Sequence, residues 1–181
     1  DKFTYNVLKL KNKYFTFSDN IILNSELIKK KINSEYISIH FRLGDMLFKP
    51  IHTSYSRDYY KIIGNDIYSI MNNINPSMPI LICTNKKENN LIKSFCKKYD
   101  TVFISDFIKT ELTEVEICCI EMLLCLESKI HIPSLKSSWD DYIMLKRYDN
   151  LDLLKLWISM LQKHLNTENK INAKLFFEIN K

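Results

Sequence analysis

The segment Ile39-His40-Phe41-Arg42-Leu43-Gly44-Asp45 sets an imidazole, a guanidinium, a glycine and a carboxylate at the end of an apolar run. Along a strand, alternation puts His40 and Arg42 on one side, opposite Ile39 and Phe41. A guanidinium at the carboxyl end of a strand can meet a diphosphate with a planar fork of donors. Gly44 permits a tight turn or the close approach of a ligand, and Asp45 can orient Arg42 or accept from a ribose hydroxyl. The same residues also read as an ordinary Arg42–Asp45 surface pair, worth little energetically.

A second group lies in Pro133-Ser134-Leu135-Lys136-Ser137-Ser138-Trp139. Ser137 and Ser138 at a helix start offer hydroxyls and free backbone N–H groups, a small anion site reinforced by the helix dipole. They serve equally as a plain cap. Glu121 interrupts the apolar stretch Ile120-Glu121-Met122-Leu123-Leu124. A carboxylate there can accept from the N1–H and amino group of guanine, or can simply be a partly exposed helix residue. Asp140 and Asp141 are adjacent on one helix, point two ways, and read as capping or solvating groups.

These residues need elements to hold them, and the periodicity supplies an alternation of short β-rich runs and longer helical ones. That is the pattern of a parallel α/β sheet. Residues 20–33 read as a helix with Ile22, Leu23, Leu27 and Ile28 on one side. Strands follow at Glu35–Phe41, Pro79–Cys83 (a continuous apolar run, as for a strand covered on both faces), Thr101–Ser105 and Ile130–Ile132. Helices are expected over Ser54–Asn73, over Lys87–Lys98, from Thr113 to Glu127 with Thr113 and Glu116 forming a capping box, from about Ser137, and over 150–165. No internal repeat or linker-like stretch divides the chain, so 1–181 reads as a single α/β domain with its motif core over about 20–150. Ligands in such sheets bind at the carboxyl ends of the strands, which directs attention to the loops after Phe41, Cys83, Ser105 and Ile132.

The composition narrows the chemistry. With 181 residues and 46% hydrophobic content, the chain can build one proper core. Two glycines in the whole sequence rule out a Gly-rich phosphate loop. The net charge of +5 comes from lysines scattered among asparagines and isoleucines, without the basic-aromatic footprint of a nucleic-acid binder. The five cysteines show no CxxC spacing and fit buried reduced thiols better than a disulfide framework or a zinc site. Together with the absence of a sequon, a signal peptide and a long apolar stretch, they lean toward a cytoplasmic setting without a membrane segment. No Asp-x-Asp motif stands beside a strand end, which points to chemistry without a metal.

Taken together, Tyr36–Leu47, Pro79–Asp106 and Glu116–Arg147 resemble the donor-binding domain of the GDP-fucose O-fucosyltransferases, and more distantly the α-1,2- and α-1,6-fucosyltransferases. The shared pattern is a strand ending in His-x-Arg-x-Gly-Asp, a later strand running into Thr-Asp or Ser-Asp, an acidic residue in a helix, and a strand leading into Ser-Ser-Phe/Trp. The resemblance implies a Rossmann-like parallel sheet flanked by helices, the C-terminal half of a two-domain GT-B glycosyltransferase. It implies inverting, metal-independent transfer of fucose from GDP-fucose to an acceptor hydroxyl, with no cofactor. Arg42 would contact the diphosphate and support the leaving GDP, and His40, Gly44 and Asp45 would shape the same pocket. Glu121 would read the guanine, while Ser137, Ser138 and Trp139 would bind phosphate and wall off the sugar. Thr84 and Asn85 lie where the family often has an aspartate, and Leu43 replaces the second arginine of the HxRRGD branches. The acceptor contacts belong, by the same resemblance, to an amino-terminal domain that these 181 residues do not include, and the sequence alone names no general base. Two other readings stand beside the transferase: a non-catalytic GDP-sugar-binding module, and an α/β partner-binding domain.

Overall fold

A computed structural model describes residues 16–32, 35–43, 67–68, 70–72, 77–108, 111–134 and 137–148. Its elements run α1 (Asp19–Ile32), β1 (Ile37–Phe41), β2 (Ile80–Thr84), α2 (Asn90–Lys98), β3 (Thr101–Val102), a 3-10 turn (Ile104–Asp106), α3 (Glu114–Glu127), β4 (Ile130–Ile132) and α4 (Ser138–Tyr148). The strands form one parallel sheet in the order β3-β2-β1-β4. This is the Rossmann-like α/β arrangement expected of the alternating pattern. The chain moves outward from β1 to β3 and then returns through α3 to the other side of β1. The strand order therefore reverses between β1 and β4, where such sheets open a crevice at their carboxyl edge.

Alternation along the strands divides the core into two layers. Ile37, Ile39 and Phe41 of β1 pack with Ile80 and Ile82 of β2 against Ile92 and Phe95 of α2. On the opposite face, Leu81 and Cys83 pack against Ile120, Leu124 and Cys125 of α3, Ile143 of α4, and Ile21, Ile28 and Ile32 of α1. Burial of β2 on both faces explains its unbroken apolar run. Residues 67, 68 and 70–72, within the span expected as a helix over 54–73, are helical and bury Ile67, Ile70 and Met71. Gly44, Asp45 and the helix expected over 150–165 lie outside the described residues.

Several expectations change in the structure. α1 buries Ile21, Ser25, Ile28 and Ile32, whereas Ile22, Leu23 and Leu27 are exposed. The spacing of four, three and four residues follows the helical period more closely than the apolar stripe 22–28 did. Ser25 can sit in that face because its hydroxyl donates to the Ile22 carbonyl at 2.7 Å. The third strand is two residues rather than five, because the Asp106 carboxylate accepts from Phe103 N–H at 2.7 Å and closes the 3-10 turn. α2 begins at Asn90 rather than Lys87, with the Asn89 side chain accepting from Leu91 N–H as N-cap. Cys118 is exposed, so burial holds for Cys83 and Cys125 but not for every thiol.

Candidate functional site

Chain direction and hydrogen bonding bring two distant sequence segments together in the crevice between β1 and β4. Ile39 pairs with Ile132, the last residue of β4, so His40 and Arg42 emerge beside the turn that begins at Pro133. There the Arg42 backbone N–H donates to Ser134 Oγ at 3.3 Å. His40 Nδ1 lies 2.6 Å from Asp140 Oδ2 on the first turn of α4. The His40 ring also packs on Trp139, centroids 4.5 Å apart and planes inclined at 54°. Trp139 is thus the wall of the imidazole, while its indole N–H is buried without a hydrogen-bond acceptor among the described residues.

Asp140, expected to cap or solvate its helix, instead occupies the centre of the site. It is 1% exposed, and its two oxygens hold His40 on one side and His131 Nε2, at 3.0 Å, on the other. Its Oδ2 also accepts from Ser134 N–H at 3.0 Å. Burial alone would push this carboxyl upward, but the hydrogen bonds of His131 and His40, and the charge these imidazoles carry when protonated, outweigh burial and hold it below the ordinary carboxylate range. At the third position of a helix whose N-terminus meets the sheet, one of two adjacent aspartates must face inward.

Behind Asp140 runs a polar chain that is buried from His131 to Ser128. His131 Nδ1 meets Ser38 Oγ at 2.9 Å, and Ser38 meets Ser128 Oγ at 2.7 Å. Ser128 donates to the Cys125 carbonyl at 3.0 Å and receives an Arg147 N–H at 3.1 Å. Burial opposes charge on His131, yet Cys125 and Asp140 raise it to about 9. Burial likewise opposes ionisation of Cys125, but the Cys83 thiol, 3.5 Å away, together with His131 and Ser38 brings it below the usual thiol range. Arg147 anchors the whole group, donating through Nη1 to the carbonyls of Cys125, Leu126 and Ser128 at 2.9, 3.2 and 2.7 Å. Ser38 and His131 are register partners in adjacent strands. A polar residue at mid-strand in each of two apolar runs (ISI and IHI) was the signal for this chain in the sequence.

The remaining candidate residues take distinct places. Ser137 is buried, and its hydroxyl accepts from Asp140 N–H at 3.3 Å in the manner of an N-cap. Ser138 begins α4. Leu43 is fully buried in the layer beneath β1. Thr84 pairs with Phe41 at the end of β2, its hydroxyl accepting from Lys86 N–H at 3.2 Å, and Asn85 follows it, exposed. Glu121 lies in an apolar setting that pushes its carboxyl up to about 8, with Cys125 adding to the rise and Lys87 opposing it. Lys87 belongs to the loop after β2, bonds Ser105 Oγ, and lies 4.1 Å from the Phe103 ring centroid. Its charge couples that loop to Glu121 on α3.

Among the described residues, no group of three or more His, Cys, Asp and Glu side chains is arranged to hold a metal ion, and no helix is long and apolar enough to cross a membrane. What the crevice offers is a guanidinium-bearing strand end and an imidazole clamped between a carboxylate and an indole. No protein-family model matches the chain, and no curated protein matches it.

Proposed function

We propose that this chain is the donor-binding domain of an inverting, metal-independent glycosyltransferase that takes fucose from GDP-fucose. The observation that carries the reading is the meeting of the His40–Arg42 and Ser134–Asp140 segments at the crevice where the strand order reverses. In parallel α/β sheets that crevice is where nucleotides bind. Arg42 there would hold the diphosphate and offset the negative charge that grows on the β-phosphate as GDP leaves. Such electrostatic support is usually the largest single catalytic contribution. Glu121, Thr84 and Asn85 would line the nucleoside side, and Trp139 the sugar side. The acceptor is a hydroxyl, of a glycan or a protein.

Thermal unfolding in EDTA with GDP, GDP-fucose, GDP-mannose and UDP tests this on the wild type and Arg42→Ala. A ligand at a hundred times its dissociation constant stabilises the native state by about 2.7 kcal/mol, a rise of roughly 5–10 °C for a domain of this size. The expected result is a rise with GDP compounds alone, lost in Arg42→Ala. Equal response to UDP, or no response to any nucleotide, sinks the reading.

One observation favours the binding-only alternative. Leu43 stands where the HxRRGD branches carry a second arginine, and its side chain is buried in the core, so one phosphate contact of those branches is missing. GDP-fucose binding without turnover distinguishes that alternative from the transferase.

A further inference from the structure

The transfer needs a group to take the proton of the attacking hydroxyl, and the hydrogen-bond directions around Asp140 single one out. Ser128 has one hydroxyl proton, which it donates to the Cys125 carbonyl. With the Ser128 proton on that carbonyl, Ser38 donates to Ser128 and accepts from His131 Nδ1, the direction that agrees with the raised His131. His131 Nδ1 thus carries a proton. Asp140 Oδ2 accepts from Ser134 N–H, as an ionised carboxylate does, so His131 Nε2 donates to Oδ1. With both ring nitrogens protonated, His131 is an imidazolium, completely shielded from solvent and paired with the Asp140 anion.

The second imidazole, His40, meets Asp140 Oδ2 through its Nδ1, so the carboxylate favours the tautomer with the proton on Nδ1. In a neutral ring with Nδ1 protonated, Nε2 holds a lone pair. Nε2 makes no hydrogen bond to any described residue, and the side chain is 16% exposed at the carboxyl edge of the sheet, two residues before Arg42. Trp139 packed on the ring fixes its plane. The charged and titratable groups around it are Arg42 on its own strand, Cys83 as its register partner on β2, and Cys125 and Glu121 of α3 behind Cys83. Asp140 faces it from α4, with His131 of β4 beyond.

Resting on the donor-binding reading above, we propose that His40 Nε2 is the proton acceptor of the transfer and that Asp140 is its positioning residue, kept anionic by His131. In the step, the acceptor hydroxyl gives its proton to Nε2 while its oxygen bonds to the anomeric carbon of fucose. The bond from that carbon to the β-phosphate oxygen breaks, and its electron pair leaves with GDP beside Arg42. His40, now an imidazolium against Asp140, returns the proton to water.

The test uses this chain with water as the acceptor hydroxyl, following GDP release from GDP-fucose, alongside GDP titrations. His40→Gln is expected to keep GDP affinity within about threefold and to lower kcat by roughly 10²–10⁴-fold. The wild-type rate is expected to fall with unit slope on the acid side, and His40→Gln to lose that limb. Asp140→Asn removes the carboxylate that sets the His40 tautomer, so kcat is expected to fall while GDP affinity is kept. Nitrogen-15 spectra of the wild type at neutral pH give a second readout independent of any variant's folding. They should show His131 doubly protonated and His40 protonated on Nδ1 only. Wild-type kcat in His40→Gln with intact GDP binding overturns the proton-acceptor role and leaves the donor site standing. So does GDP-fucose binding by the wild type without turnover at any pH, or a His40 ring protonated on Nε2 at neutral pH. Failure of the wild type to bind any GDP compound overturns the donor reading and this proposal together.

Discussion

At the residue scale, the site combines groups whose environments push them apart. Glu121 stays protonated up to about pH 8, Asp140 stays ionised below the usual carboxylate range, and one histidine of a pair holds the buried charge. A carboxylate must be ionised to accept two guanine N–H groups, so GDP binding should draw a proton off Glu121. Affinity for GDP is therefore expected to strengthen as pH rises toward 8 and to level off above it. In Glu121→Gln that slope should vanish and affinity weaken by about 1–3 kcal/mol, the penalty of a mismatched buried hydrogen-bonding group. Isothermal titration across pH 6–9 reads both, and a pH-independent wild type would remove Glu121 from guanine recognition. For Arg42→Ala, the loss of a donor to the leaving diphosphate should lower turnover by about 10²–10³-fold. An unchanged kcat in steady-state GDP release would contradict that role.

At the scale of elements, local and distant interactions can be told apart by what holds α3 at its two ends. Its N-terminus is a capping box: Thr113 N–H donates to the Glu116 carboxylate at 2.8 Å, and Glu116 N–H donates to Thr113 Oγ1 at 3.3 Å. Its C-terminus depends on Arg147 of α4, whose guanidinium takes up its last carbonyls and the Ser128 hydroxyl. Thr113→Ala should lower stability by about 1 kcal/mol. Arg147→Ala strips several charge-assisted bonds from buried acceptors and should lower it by about 2–4 kcal/mol. Urea unfolding compares them, and an equal effect would mean that the distant anchor adds nothing to the helix. The cap was legible in the sequence because both partners lie within one turn. The Arg147 anchor was not, because it depends on where α4 comes to rest against α3. The buried face of α1 is not set by its own sequence for a related reason. Leu23 and Leu27 form an apolar stripe of their own, and only the packing partner decides which stripe is covered.

At the scale of the whole molecule, the two layers share one sheet and the polar chain crosses it beside the crevice, so folding and site charge are linked. His131 is raised in the folded state, and its contribution is full below about pH 6.5 and fades toward 9. Cys125 is lowered, which adds stability as pH rises over a similar window and opposes that loss. Asp140 contributes above its ordinary range and is lost as pH falls through its lowered folded value. Glu121, raised to about 8, adds a decline in stability as pH climbs from about 4.5 to 8. Glu121→Gln should therefore melt with the wild type near pH 4.5 and several degrees above it at pH 8, at roughly 2–4 °C per kcal/mol. Calorimetry at the two values decides it, and parallel melting curves would show that Glu121 is not desolvated.

The sequence by itself determined the layers of this protein. Period-2 and helical patterns, the bounding strand residues and one capping box are properties of neighbours along the chain. They fix which segments become strands, which become helices, and that Arg42 stands at a strand end. Only the tertiary structure decided that Ser38, His40, Ser128, His131, Asp140 and Arg147 form one connected chain. Those residues come from two parallel strands, a helix and the turn between α3 and β4, brought together by a crossover that no local pattern encodes. Each of them is individually an ordinary polar residue. Buried or half-buried, each finds its partner among the groups that the sheet order places within reach.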